Sequence, residues 1–130
     1  MQPTALIVDD SPVSRAIIRR GLLKAGVQVV GEETTGERAL ELYDSLGPTL
    51  VFLDIVLPGI DGVTTALNIL AKHPKATIVI CSALADSEKI AACRQAGVTE
   101  FMLKPFSIQK VTELAEGVLN RTVEGRHSAT

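Results

Sequence analysis

Three carboxylates, a hydroxyl and an ammonium stand at the ends of short apolar runs in this chain. Leu6-Ile7-Val8 leads into Asp9-Asp10, and Leu50-Val51-Phe52-Leu53 leads into Asp54. Ile78-Val79-Ile80-Cys81 ends at Ser82, and Phe101-Met102-Leu103 ends at Lys104-Pro105. If these runs are parallel strands, their carboxyl ends lie along one sheet edge and the five groups converge. At an effective dielectric of about 20, two unit charges about 5 Å apart repel by about 3 kcal/mol. Asp9, Asp10 and Asp54 in one pocket would therefore raise a pKa or recruit a cation. Oxygen ligands of this kind, with a backbone carbonyl, suit Mg²⁺, which keeps several waters and takes few protein ligands. Lys104 beside them can pair with a carboxylate or hold a phosphate oxygen as a point charge. Metal, ammonium and the Ser82 hydroxyl around one carboxylate make a site for an acyl phosphate, with Asp54 attacking phosphorus. Taken singly, each signal has a plainer meaning: Asp9-Asp10 and Ser82 read as helix caps and Lys104 as a solvated charge. Their recurrence at strand ends favours the site.

The elements that must position these groups alternate strictly. Strands are expected over 4–9, 27–32, 50–54, 77–81 and 100–103. After the first, Ser11 is an N-cap with Pro12 at the first helical position, where a missing N–H costs nothing. Gly26 closes that helix. Thr34-Thr35-Gly36-Glu37 has the form of a capping box opening a second helix through Leu46. Asp61 caps a third helix ending near Lys72, before Pro74. A fourth is expected over 86–96. Ser107 caps a fifth, whose Ile108, Val111, Leu114, Ala115, Val118 and Leu119 form one apolar stripe. Such alternation implies an α/β fold, a doubly wound five-stranded parallel sheet flanked by five helices, with ligands at the carboxyl ends of the strands. Residues 1–121 form one domain, and residues 122–130 read as a flexible C-terminal tail.

Composition narrows the function. Of the 130 residues, 46% are apolar, 22% charged and only 3% aromatic, which requires an aliphatic core. A net charge of -2 offers no basic stripe for nucleic acid. No apolar stretch approaches the ~18 residues of a membrane span, so the expected place is the cytoplasm, without membrane insertion. Cys81 and Cys93 are too few for a disulfide framework and read as packing thiols. His73 and His127 have no nearby ligand partner in sequence and read as solvated.

Val8-Asp9-Asp10-Ser11, the run from Leu53-Asp54 through Pro58-Gly59 to Asp61-Gly62, Cys81-Ser82-Ala83 and Leu103-Lys104-Pro105-Phe106 together resemble the CheY-like receiver domain of two-component response regulators. The likeness extends over about residues 4–120. It implies the flavodoxin-like sheet order 2-1-3-4-5. It implies that Asp54 accepts a phosphoryl group from a sensor histidine kinase. Asp10 would bind Mg²⁺ directly, with Mn²⁺ able to replace it, Asp9 would help through water, and the Val56 carbonyl would be a further ligand. Lys104 would contact the phosphoryl group across a cis Lys104-Pro105 bond. Ser82 and Phe101 would be the switch pair. A downstream protein would dock on the face of the fourth helix, fifth strand and fifth helix, through Lys89, Ile90, Arg94, Phe101, Gln109 and Lys110. Val56 and Leu84, two residues past Asp54 and Ser82, are apolar and cannot orient an attacking water, so the phosphoryl group should be long-lived. By this reading the chain is a signalling switch rather than an enzyme.

Rival classes make different demands. A haloacid dehalogenase-like phosphatase carries a second aspartate two residues after its nucleophile, where Val56 stands. A flavodoxin-like FMN carrier needs a hydroxyl- and glycine-rich loop where Asp9-Asp10-Ser11-Pro12 stands. A receiver that docks without phosphorylation, or one cut from a longer regulator, fits the same residues.

Overall fold

The central strands have no polar face, and that dictates the layers. In the computed structural model, which describes the backbone of residues 2–128 and the side chains of residues 2–121, β1 (Thr4–Val8), β2 (Gln28–Glu33), β3 (Leu50–Asp54), β4 (Ile78–Ser82) and β5 (Glu100–Leu103) form one sheet. All neighbours are parallel and the order is β2-β1-β3-β4-β5. Every residue of β3 and β4 is buried, as a sheet covered on both faces requires. Successive side chains divide between the faces. Leu6, Val8, Val51, Leu53, Ile78 and Ile80 pack with Ala39, Tyr43, Ala66, Ile69 and Cys93 of α2 (Gly36–Leu46), α3 (Gly62–Lys72) and α4 (Ser87–Ala96). Ala5, Ile7, Leu50, Phe52, Val79 and Cys81 pack with Ile18, Leu22, Val111, Ala115 and Val118 of α1 (Pro12–Lys24) and α5 (Ile108–Ser128). This is the doubly wound arrangement expected from the alternation.

The caps explain most of the boundaries. Ser11 Oγ accepts the Ser14 N–H at 3.2 Å, Asp61 Oδ1 the Thr64 N–H at 2.9 Å, and Ser107 Oγ the Lys110 N–H at 3.0 Å. Gly21 lets α1 and α5 touch: a Cβ there would lie 2.5 Å from the Val111 Cβ. Thr112 Oγ1 donates to the Gly21 carbonyl across the same contact at 2.9 Å.

Four local expectations need correction. The expected capping box is absent, because α2 starts after Thr35, a residue late for the Thr34–Glu37 spacing, and Thr35 makes no side-chain cap. Glu37 Oε1 instead accepts the Ile60 N–H at 3.0 Å and ties α2 to the loop after β3. A 3₁₀ turn at Leu84–Asp86 precedes α4, with Asp86 accepting the Ala83 N–H at 2.9 Å, so the helix begins at Ser87. His73 is not simply solvated: its Nε2 lies 2.7 Å from Asp44 Oδ1 and its ring centroid 4.6 Å from that of Tyr43. Lastly, α5 continues to Ser128, past the end of its apolar stripe. An established helix propagates at low cost where no proline intervenes. The His127 side chain lies outside the described residues.

Candidate functional site

Strand register brings the polar termini together. Val8 pairs with Leu53, Asp54 with Cys81 and Ser82 with Leu103, so Asp9, Asp54, Ser82 and Lys104 follow one another along the carboxyl edge. Ligand oxygens of Asp9, Asp10 and Asp54 all lie within 4.8 Å of one another. The Lys104 Nζ donates to Asp54 Oδ2 at 2.9 Å and stands 3.9 Å from Asp9 Oδ2. The other Asp54 oxygen accepts the Val56 N–H at 3.1 Å, which places Val56 beside the cluster. Ser82 is 2% exposed at the end of β4, and its carbonyl accepts the Lys104 N–H at 2.6 Å. The Lys104-Pro105 peptide is cis.

The two inner carboxylates are nearly sealed, Asp9 being 1% and Asp54 4% exposed, whereas Asp10 faces solvent. Asp9 Oδ1 accepts the Ser11 N–H at 2.8 Å. Its Oδ2 is buried with no hydrogen-bond partner. Burial pushes the Asp9 carboxyl above its ordinary pKa, and the charges of Asp54 and Asp10 push the same way. At Lys104 burial acts downward, but the hydrogen bond and charge of Asp54, with Asp9 behind it, prevail and hold the ammonium charged. Burial, with Asp9 and Asp54 nearby, drives the Cys81 thiol upward and leaves it a packing group beneath the site.

This donor set fits a hard divalent cation. It is all oxygen, two of its carboxylates are held by the backbone, and an orphaned buried oxygen faces the cluster. The structure therefore brings Asp9, Asp10, Asp54 and Lys104 into one place. Phe101 lies three residues back along β5, half-buried, with the Arg94 guanidinium carbon 4.9 Å from its ring centroid. Ile90 packs on the same cluster as Phe101, and Gln109 and Lys110 are exposed on α5. Val56 and Leu84 are exposed, 51% and 81%.

Two contributors escape sequence reading. Arg15 Nη1 donates to the Asp9 carbonyl at 2.7 Å, and nothing but its place one turn into α1 hints at this. Gly62 opens α3 directly against β3: its N–H donates to the Ile55 carbonyl at 3.0 Å, and a Cβ would collide with the backbone of Asp54 and Ile55. A glycine just after an N-cap aspartate, where side chains are ordinarily tolerated, was the available signal.

Residues 5–116 match the response regulator receiver domain family. Chemotaxis protein CheY of Bacillus subtilis is 37% identical over 115 residues, covering 88% of this chain and 96% of that protein. CheY of Thermotoga maritima is 35% identical, covering 87% and 94%. Among solved structures, the CheX–CheY–BeF3–Mg complex from Borrelia burgdorferi superposes with a TM-score of 0.83 at 28% identity, covering 90% of this chain and 89% of that one. NtrX of Brucella abortus gives 0.89 at 27% identity, and there the chain spans only 29% of a longer protein. With five parallel strands in this order and an acidic pocket at their carboxyl edge, the chain belongs to the response regulator receiver domain family and is CheY-like.

Proposed function

We propose that the protein is a phospho-accepting switch in which Asp54 takes a phosphoryl group from the phosphohistidine of a sensor kinase. The observation that carries the proposal is the Asp54 carboxylate held 2.9 Å from Lys104, beside an orphaned Asp9 oxygen and the exposed Asp10. An Asp54 oxygen attacks phosphorus, the P–N bond breaks, and its electron pair returns to the donor imidazole. Bound Mg²⁺, or Mn²⁺ in its place, would neutralise the phosphoryl oxygens as their charge develops. Asp10 and Asp54 would hold it, with the Val56 carbonyl, and Asp9 would help through water. Lys104 offers the second cation, already aimed at the nucleophile. The Val56 N–H orients the other Asp54 oxygen, so little reorganisation precedes transfer.

The product carries about -1.5 to -2 charge where a single carboxylate stood. Lys104 and the Ser82 hydroxyl answer that charge, and the Leu84–Asp86 turn directly after β4 follows. Phe101, which has no hydroxyl, then shifts by packing alone. The population moves toward a form whose α4–β5–α5 face binds a downstream protein. The proposal puts the protein in the cytoplasm, where such a donor works, and assigns this role to residues 1–121.

Incubation with acetyl phosphate and Mg²⁺, followed by intact mass, tests the reaction. The wild type should gain one phosphoryl mass and Asp54→Asn none. A wild type that stays unmodified under conditions where it binds Mg²⁺ would end the proposal.

A further inference from the structure

Asp9 is held at three points, and its side chain accounts for only one of them. Its N–H donates to the Glu33 carbonyl at 3.0 Å, its Oδ1 accepts from Ser11, and its carbonyl accepts from Arg15 Nη1 at 2.7 Å. Arg15 is itself anchored. Its Nε lies 3.4 Å from Glu32 Oε1, and its side chain is 19% exposed. Glu32 in turn is gripped by Arg19 through two contacts of 2.7 and 2.8 Å. A chain of charge-assisted bonds thus runs from β2 through α1 to the peptide joining Asp9 and Asp10. That carbonyl belongs to the turn on which both carboxylates are mounted.

We propose that Arg15 is a positioning residue for the cation cradle, fixing the Asp9–Asp10 peptide so that both carboxylates face the ion before it arrives. This rests on the reading that Asp9, Asp10 and Asp54 hold a divalent cation. The sign of one measurement separates positioning from plain electrostatics. A positive charge near three carboxylates repels an incoming cation, so its removal by itself tightens Mg²⁺ binding. Loss of a clamp on a ligand-bearing turn weakens binding instead, typically by about 10- to 100-fold for groups supporting metal ligands.

Mg²⁺ alone is titrated into the full chain by calorimetry, with thermal melts of the metal-free proteins alongside. Arg15→Met should raise the dissociation constant by about 10- to 100-fold, and Arg15→Lys, which keeps the charge and a donor one bond short of Nη1, should recover part of it. Arg19→Met removes the same charge from the same face without touching Asp9, and should leave binding unchanged or slightly tighter. If Arg15→Met melts too low to assay, Arg15→Gln replaces it. Glutamine ends where Nε stood, so it can still meet Glu32 but cannot reach the Asp9 carbonyl, and the same weakening is expected. Unchanged or tighter binding in Arg15→Met or Arg15→Gln overturns the inference, as does equal weakening in Arg19→Met. A wild type that takes up no Mg²⁺ overturns the cradle itself.

Discussion

Replacing Gly62 by alanine should damage phosphorylation from a position that never touches the phosphoryl group. The added Cβ would sit 2.5 Å from the Ile55 Cα and closer still to the Asp54 carbonyl oxygen. Carbon atoms in comfortable contact are about 3.5 Å apart, so α3 and the end of β3 must separate by about 1 Å. Overpacking of this kind costs about 1–3 kcal/mol of stability. The backbone that yields carries Asp54, the proposed nucleophile, and a displacement of about 1 Å in a reacting group lowers rate by about 10²-fold. Urea melts of the metal-free protein measure the first effect, and time-resolved intact mass with acetyl phosphate and Mg²⁺ measures the second. Gly117→Ala is the matched control: its Cβ would meet only the Arg121 Nη1 at 3.5 Å. Relief of a glycine within α5 should stabilise that variant by about 0.5–1 kcal/mol, with normal phosphorylation. A Gly62→Ala protein that melts and phosphorylates like the wild type would refute the claim that α3 sets the position of Asp54.

Asp9→Asn should stabilise the metal-free protein, because it removes a charge that burial and the neighbouring Asp54 and Asp10 disfavour, while raising the Mg²⁺ dissociation constant; a variant less stable without metal would contradict this electrostatic account of the cluster. The pH dependence has a definite sign. Because the folded-state pKa of Asp9 lies above its ordinary 3.8, its contribution to stability is complete below that value and disappears as pH rises through the raised one. Mg²⁺ affinity should run the opposite way, falling as acid protonates Asp9, and titrations across that window in wild type and Asp9→Asn check both. The phosphoryl group should persist well beyond seconds, because Val56 and Leu84 are exposed and apolar; the double variant Val56→Asn, Leu84→Gln should shorten its half-life in a radiolabelled decay assay, and rapid loss from the wild type would sink the argument.

Much of this was legible because it depends on periodicity and chain order. The all-apolar 50–53 and 78–81 runs could only be strands covered on both faces, and the polar residue that follows each, Asp54 or Ser82, had to lie on the shared edge. Arg15 was illegible for the converse reason: its partner is a backbone carbonyl, which carries no residue-type signal. His73 shows the same limit. Its pairing with Asp44 joins the ends of α3 and α2, 29 residues apart in sequence, and only helix packing brings them together. Glu37 was misread because a one-residue shift in the start of α2 turns a local cap into a tie to Ile60.

Charge balance links the resting site to the proposed switching. Asp9, Asp10 and Asp54 outnumber Lys104, the cation bonded within their cluster, and leave it two charges short of neutrality, which one divalent ion supplies. Lys104 is shared unequally, at 2.9 Å from Asp54 and 3.9 Å from Asp9, so a cation satisfying Asp9 would free the ammonium for Asp54. A phosphoryl group then adds up to about one negative charge beyond the carboxylate it replaces. Lys104, the cation bonded to the cluster among the described residues, is already counted in that balance. The nearest resources are the Ser82 hydroxyl and the backbone of the turn after β4, which can respond only by moving. On the proposed reading, in which a divalent ion makes the site neutral, the surplus charge of a phosphorylated Asp54 would be the force that Ser82 and the Leu84–Asp86 turn answer, at the carboxyl edge that leads into α4.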